Sequence, residues 1–448
     1  MDLLFLSRIQ FAITALFHFI FPCLTIGMAW LNVVFLSKYL KTRLEEDKRL
    51  AYFWVNIFAV TFAMGVASGL VMVFQFGTNW AEYARYVGDI FGAPLAAEAL
   101  LAFFLEATFL GVLIWGRNRV KFELYWLSGL LVALGATLSA FWIIAANSWQ
   151  QTPAGYILVN GRPHLNDFTA AIFNPSTMIR YLHTVDGCII AGAVFVAGIS
   201  AWFLLKKPEH REFAMKSIRL ALLTFFVAAA LQWVLGHFHS MQVAETQPAK
   251  LAAFEGLFQT EPGAPLLLFG IPNEDLEKTS FAIGFPKLLS FLVHGDVNEP
   301  ILGLDAFPKE DWPNIFLSFY SYRIMLGLAG YLLLLSFVGL LLHWRGRLEH
   351  PLFLKILIYS VPAGVLAAEF GWMAAEVGRQ PWVVYDLLRT SEAASFNVPA
   401  FQVLLSILIF VALFSVLLVT YIFLLKKRLQ QGPGEFTFLD RSGRGFDY

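Results

Sequence analysis

Apolar residues arrive in long unbroken runs along this chain, separated by shorter polar connections. The runs lie near residues 9–36, 51–76, 93–116, 124–148, 181–205, 215–236, 313–342, 352–376 and 399–425. Each exceeds the roughly 20 residues that cross a hydrocarbon core at about 1.5 Å per residue. The pattern predicts an all-α integral membrane protein, a bundle of nine transmembrane helices. The first run continues too far for the apolar region of a signal peptide and contains no small-residue cleavage site. It reads as a span.

Lys and Arg alternate with the spans. The segments after spans one, three, five, seven and nine hold eighteen of them, while the N-terminus and the short segments after spans two, four and eight hold six. This bias places the N-terminus outside and the C-terminus in the cytoplasm. Residues 1–236 would then form spans one to six, 237–312 an extracytoplasmic loop, 313–425 spans seven to nine, and 426–448 a short cytoplasmic tail. The loop is polar and contains Pro and Glu, and connections of this length are more often functional than idle. No internal repeat is visible.

Composition sharpens this picture. Hydrophobic residues make up 58% of the chain and charged residues only 14%, against about 25% charged in soluble domains. The formal net charge of zero gives no basis for a nucleic-acid partner. Cys23 and Cys188 both sit inside apolar runs and form neither a haem-attachment nor a metal motif. They read as small buried residues.

A charge within a span is costly and marks function by default. The candidates are His18, Glu98, Glu106, His183, Asp186, Arg323, Glu369 and Glu376, several of them on the outer half of the bundle. His18 and His183 are the only histidines well inside the apolar runs. A lone buried His or Met is more often core packing, but His with Met is a common axial pair for a low-spin haem, and Met325 stands on a third span. Gly187, one turn after His183, would let a flat macrocycle approach. Glu98 and Glu106 are eight positions apart, about 80° around an ideal α-helix and about 12 Å along it. Both could face one interior channel as a proton relay, with structural hydrogen bonding as the plainer alternative. Ser139 and Asn147 on span four could extend that path.

At these residues the chain resembles subunit I of the cytochrome bd quinol oxidases, over nearly its whole length. LSRIQFAITALFHFIF resembles the family's opening helix, and GAPLAAEALLAFFLEATFLG its acidic third span. RYLHTVDG and SYRIMLGL resemble the segments that carry the low-spin haem's His and Met. The most specific likeness is GWMAAEVGRQPW, followed by VVYDLLRT. The resemblance implies that His183 and Met325 ligate a low-spin haem b. It implies that His18 and Glu376 each bind one of two high-spin haems, a haem b and a haem d (or a further haem b). Arg323 and Arg379 would balance haem or propionate charge, and Trp372 and Trp382 would lie on or beside the macrocycles.

The resemblance extends to the outer loop, where AETQPAKLAAFEGLFQTEPGAP places Lys250 and Glu255 at positions implicated in quinol oxidation. Taken by themselves these two would be an ordinary solvated pair. The loop is of the shorter kind, and His237 stands where relatives often have Asp. Also implied are a homologous subunit II, a small single-span subunit, membrane quinol and oxygen as substrates, and residence in the bacterial cytoplasmic membrane. A haem–copper oxidase would need a histidine cluster that is absent, and a quinol–cytochrome c reductase would need paired histidines on two spans. A secondary transporter would show inverted repeats and broken helices around its site, and the sequence shows neither.

Overall fold

The structure, a computed structural model, describes residues 2–395 and 397–434. Most of the expected cytoplasmic tail, from residue 435 onward, lies outside the described residues. Among the described residues nine helices are long and apolar enough to cross a membrane. They run Leu3–Thr42, Glu45–Thr78, Ala81–Trp115, Phe122–Gln151, Thr177–Lys206, Arg211–Thr246, Ile315–Trp344, Pro351–Val377 and Ala400–Gln431, as spans one to nine.

Local chemistry sets several ends. The Asp2 carboxylate caps span one by accepting from the Leu4 N–H at 3.0 Å, and Asn314 caps span seven by accepting from Leu317 at 2.9 Å. Glu45, Glu46 and Asp47 open span two, where negative charge complements the helix dipole. Pro351 begins span eight, at the position where its missing N–H costs nothing.

Spans one and five form the axis of the bundle. Their central windows are 67% and 78% buried, against 11% for span nine on the periphery. The two cross at Gly27 and Gly192. A Cβ on Gly27 would lie 2.4 Å from the Cys188 carbonyl oxygen and 2.9 Å from Gly192 Cα. Such small-residue crossings let backbones touch where lipid offers no hydrophobic drive. Cys23 and Cys188 are buried free thiols beside this crossing.

Three features depart from the hydropathy reading. Span six continues as helix through Thr246, ten residues beyond the end of its apolar run, so its last three turns are drawn from polar sequence. Span three is wound as a π-helix over Glu98–Phe103, with the Phe104 N–H reaching the Ala99 carbonyl. Span eight is divided at Ser360, between Pro351–Tyr359 and Val361–Val377, where Pro362 cannot donate to the helix ladder. Interrupted spans are therefore present, contrary to the expectation of unbroken helices.

The segment after span six is folded. Helix Pro248–Glu255 is buried throughout Ala249–Glu255 and ends at Gly256, whose φ of 63° suits a residue without a side chain. An antiparallel hairpin, Leu266–Asn273 with Lys278–Phe285, follows, and then a short helix, Leu288–His294.

The Gly27 crossing yields a direct test. Gly27→Val forces a side chain into backbone atoms of span five, at a cost of about 1–3 kcal/mol. It should lower the thermal midpoint of the detergent-purified protein. Gly77→Val should not, because nothing lies within 4 Å of a Cβ at Gly77. Equal midpoints for the two variants would show that the crossing is not tight.

Candidate functional site

Span six presents Gln232, Gly236 and His239 on one face, at the spacing of successive helical turns. That face meets His183 of span five. Gln232 Nε2 lies 3.2 Å from His183 Nε2, a Cβ on Gly236 would lie 3.5 Å from His183 Cε1, and the His239 ring stands 5.2 Å away. Gly187 faces the Gln232 amide, 3.6 Å from where its Cβ would be. His183 Nδ1 and Gln232 Oε1 are buried without a hydrogen-bond partner. Met325 on span seven faces Gly371 of span eight, with Sδ 2.9 Å from the position of a Cβ there.

Arg323, two residues before Met325, does not stand free for another anion along its whole guanidinium. Its Nη2 pairs with Glu255 of the loop helix, while its Nε is buried and unpartnered. Glu255 and Lys250 are 2% and 5% exposed, so neither is solvated, and they do not pair with each other. Lys250 Nζ donates instead to Gln151 Oε1 at 2.8 Å and to Gln247 Oε1 at 2.9 Å. Burial pushes the Lys250 ammonium well below the usual lysine pKa. Arg180 adds to that shift, and Glu376 opposes it.

Glu376 sits near the end of span eight among donors from three other parts of the chain. Asn147 and Gln151 of span four each donate to Oε1 at 3.1 Å, Arg379 pairs with Oε2, and Arg180 Nη2 lies 3.8 Å from Oε1. A carboxylate offers about four lone-pair sites, and the three short hydrogen bonds leave one open. Arg180 also donates to Asn147 Oδ1 at 2.5 Å and stands over Trp372 at 5.7 Å. Arg379 Nε is buried and unpartnered. Trp382 lies in the hairpin after span eight, its ring covered by Arg389 at 4.5 Å.

His18 on span one meets span two. Its Nδ1 lies 3.1 Å from Ser68 Oγ, and the Ser68 hydroxyl donates to the Met64 and Gly65 carbonyls at 3.0 Å. Ser68 therefore accepts from Nδ1–H, which leaves the Nε2 lone pair free. A Cβ on Gly69 would lie 3.0 Å from His18 Cε1.

Glu98 and Glu106 of span three both face span four. Ser139 donates to Glu98 at 2.9 Å, and Glu106 Cγ lies 2.7 Å from where a Cβ on Gly135 would be. Gly135 and Ser139 are one turn apart on the same face. The 80° separation of an ideal α-helix does not hold. π-winding turns less per residue and brings the two carboxylates back toward one side. Asn147, expected to extend this path, donates to Glu376 Oε1 at 3.1 Å. Glu369 has both carboxylate oxygens buried without partners, as has Asp186 at Oδ2.

Several residues at these clusters were not singled out from the sequence. Arg180 had a signal, a cation at the mouth of an apolar run three residues before His183. Gln151 and Gln247 had only polarity at a span end. His239 was hidden because hydropathy ended span six at Gly236.

The clusters define a class: a helical membrane protein that gathers His, Met and carboxylate donors on several spans, each His or Met facing a glycine. Comparisons with known proteins agree. The family model described as cytochrome bd terminal oxidase subunit I matches residues 6–433. The chain is 38% identical to cytochrome bd ubiquinol oxidase subunit 1 of Bacillus subtilis (strain 168), covering 96% of this chain and 94% of that one. It is 35% identical to cytochrome bd-II ubiquinol oxidase subunit 1 of Escherichia coli (strain K12), covering 96% and 97%. The solved bd oxidase from Geobacillus thermodenitrificans superposes with a TM-score of 0.89 at 28% identity, over 96% of this chain and 99% of that one. The chain belongs to the cytochrome bd terminal oxidase subunit I family.

Family membership implies haem, and the residues fit it. His and Met are its usual axial donors, His183 Nδ1 is buried without a partner, and the unpartnered Nε atoms of Arg323 and Arg379 suit anionic propionates.

The buried Arg323–Glu255 pair is testable on its own. Arg323→Leu leaves a buried carboxylate without its cation and should destabilise by roughly 3–5 kcal/mol. Arg323→Leu combined with Glu255→Leu should recover most of that loss in thermal denaturation. Equal losses in single and double variants would show that the two do not act as a unit.

Proposed function

We propose that this subunit oxidises quinol at its outer loop and delivers the electrons to oxygen reduction inside the bundle, in the bacterial cytoplasmic membrane. Its N-terminus lies outside and its C-terminus in the cytoplasm, with residues 237–312 as the quinol-binding segment. It works with subunit II and a small single-span subunit. Bound haems supply the electron carriers and the oxygen-reducing centre. His183 and Met325 hold the low-spin haem b. His18 and Glu376 hold the high-spin haem b and haem d (or a further haem b). Arg323 and Arg379 offer their free Nε groups to propionates, and Trp372 and Trp382 line the macrocycles.

One observation carries this reading: Glu255, on the outer loop helix, is paired with Arg323, two residues from Met325. The loop is thus fastened to the helix that holds the electron-accepting haem. As the quinol O–H bonds break, Glu255 takes a proton and Lys250 holds the quinol oxygen. Protons consumed inside the bundle enter from the cytoplasm through Glu106 and then Glu98, with Ser139 orienting the second carboxyl. Quinol protons leave outside and the others enter from inside, so the membrane is charged without a pump. Asn147 extends the path on span four, where it donates to Glu376 Oε1 at 3.1 Å.

Glu255→Gln should lower quinol turnover by about 100-fold, the low end of general acid–base contributions, with haem content close to the parental protein. An artificial donor that bypasses quinol should be oxidised normally. If both donors slow equally, the loop is not the quinol site.

Glu106→Gln keeps the size of the side chain but removes its exchangeable proton. Haem content should survive while oxygen uptake falls by about 100-fold, the low end for a lost proton-transfer group. Full turnover with normal proton uptake from the cytoplasmic side would remove Glu106 from the path.

A further inference from the structure

We propose that Gln151 is a positioning residue that couples the quinol loop to the haem held at Glu376. The inference rests on the reading above, in which Lys250 belongs to the quinol site and Glu376 is a haem ligand. Span four ends at Gln151, and the carboxamide is divided between two partners. Its Oε1 accepts from Lys250 Nζ at 2.8 Å, and its Nε2 donates to Glu376 Oε1 at 3.1 Å. The backbone closes the arrangement: the Gln151 carbonyl accepts from Gln247 Nε2 at 2.9 Å, and Gln247 Oε1 accepts from the same ammonium at 2.9 Å. Gln151 and Gln247 are each 2% exposed, so both lie away from bulk solvent.

The residue type follows from its neighbours. A carboxylate at position 151 would repel Glu376, and a cation would repel Lys250. A carboxamide presents an acceptor to one and a donor to the other in a single rigid plane. Direct pairing of Lys250 with Glu376 is unnecessary, because Arg379 and Arg180 already supply cations there. In this buried setting the ammonium polarises the amide and strengthens its N–H as a donor to Glu376. When quinol engages Lys250, the amide loses part of that polarisation, and the carboxylate of the haem site changes with it. Coupling of this kind is reciprocal: a change at Glu376 alters how firmly Lys250 is held. A purely structural plug would give no such linkage.

The test is a double-mutant cycle on the purified complex, read as the midpoint potential of the high-spin haem assigned to Glu376. Lys250→Met should shift that potential in the parental background, and the shift should vanish in the Gln151→Leu background. Gln151→Leu should also raise the quinol KM by about tenfold, the loss expected for one hydrogen bond to a charged group. Gln151→Glu provides the second variant. It keeps the acceptor for Lys250 but replaces the donor to Glu376, so it should lower the haem potential while raising KM less than Gln151→Leu. It carries the cycle if Gln151→Leu does not assemble. Additive shifts from Lys250→Met and the position-151 variants would overturn the coupling and leave the quinol and haem assignments standing. Normal quinol kinetics in Lys250→Met would overturn the quinol-site reading, and the coupling with it.

Discussion

Charge inside a low-dielectric bundle persists only where something compensates it, and that constraint organises one end of this protein. Glu255 and Arg323 meet it together. Neither would be tolerable alone at its burial, so the loop helix and span seven are held in one relative position. The same rule explains why Glu376, half-buried at 33% exposure, is surrounded by Arg180, Arg379, Asn147 and Gln151. Each donor comes from a segment that must be in place before the carboxylate is fully paired.

The consequence for chemistry is that the loop after span six and the spans are one unit. Lys250 reaches span four through Gln151, and Glu255 reaches span seven through Arg323. A substrate that disturbs either residue acts on groups beside the proposed haem ligands without any large motion. Three of the incompletely satisfied groups are found in the same region. His183 Nδ1, Arg323 Nε and Arg379 Nε are the atoms to which a cofactor would bring partners, as expected where polar groups remain unpaired inside a protein.

Span number and the family-specific segments were legible because both are local. Twenty apolar residues in a row admit few alternatives, and motifs such as GWMAAEVGRQPW are contiguous. The burial of Lys250 and Glu255 was not legible, because their partners lie 99 and 68 positions away and nothing in the loop's own composition distinguishes a buried ion from a solvated one. His239 was lost for a different reason. Hydropathy detects the apolar part of a helix, and span six stays helical for ten residues after its polarity changes. The placing of Asn147 shows a third limit. It shares a span with Ser139, but eight residues carry it into another cluster, and only the neighbouring helices decide which.

The π-wound stretch at Glu98–Phe103 changes what it means to align or transplant this region. A π turn holds more residues than the α turn it replaces, so span three carries extra chain within the same axial rise. Removing one residue there would restore regular winding and leave the composition nearly untouched. Every side chain beyond it, Glu106 among them, would then be re-phased relative to span four. Sequence length between the two glutamates is therefore part of the site, as much as the glutamates themselves, and a substitution table that scores residues without scoring gaps would miss it.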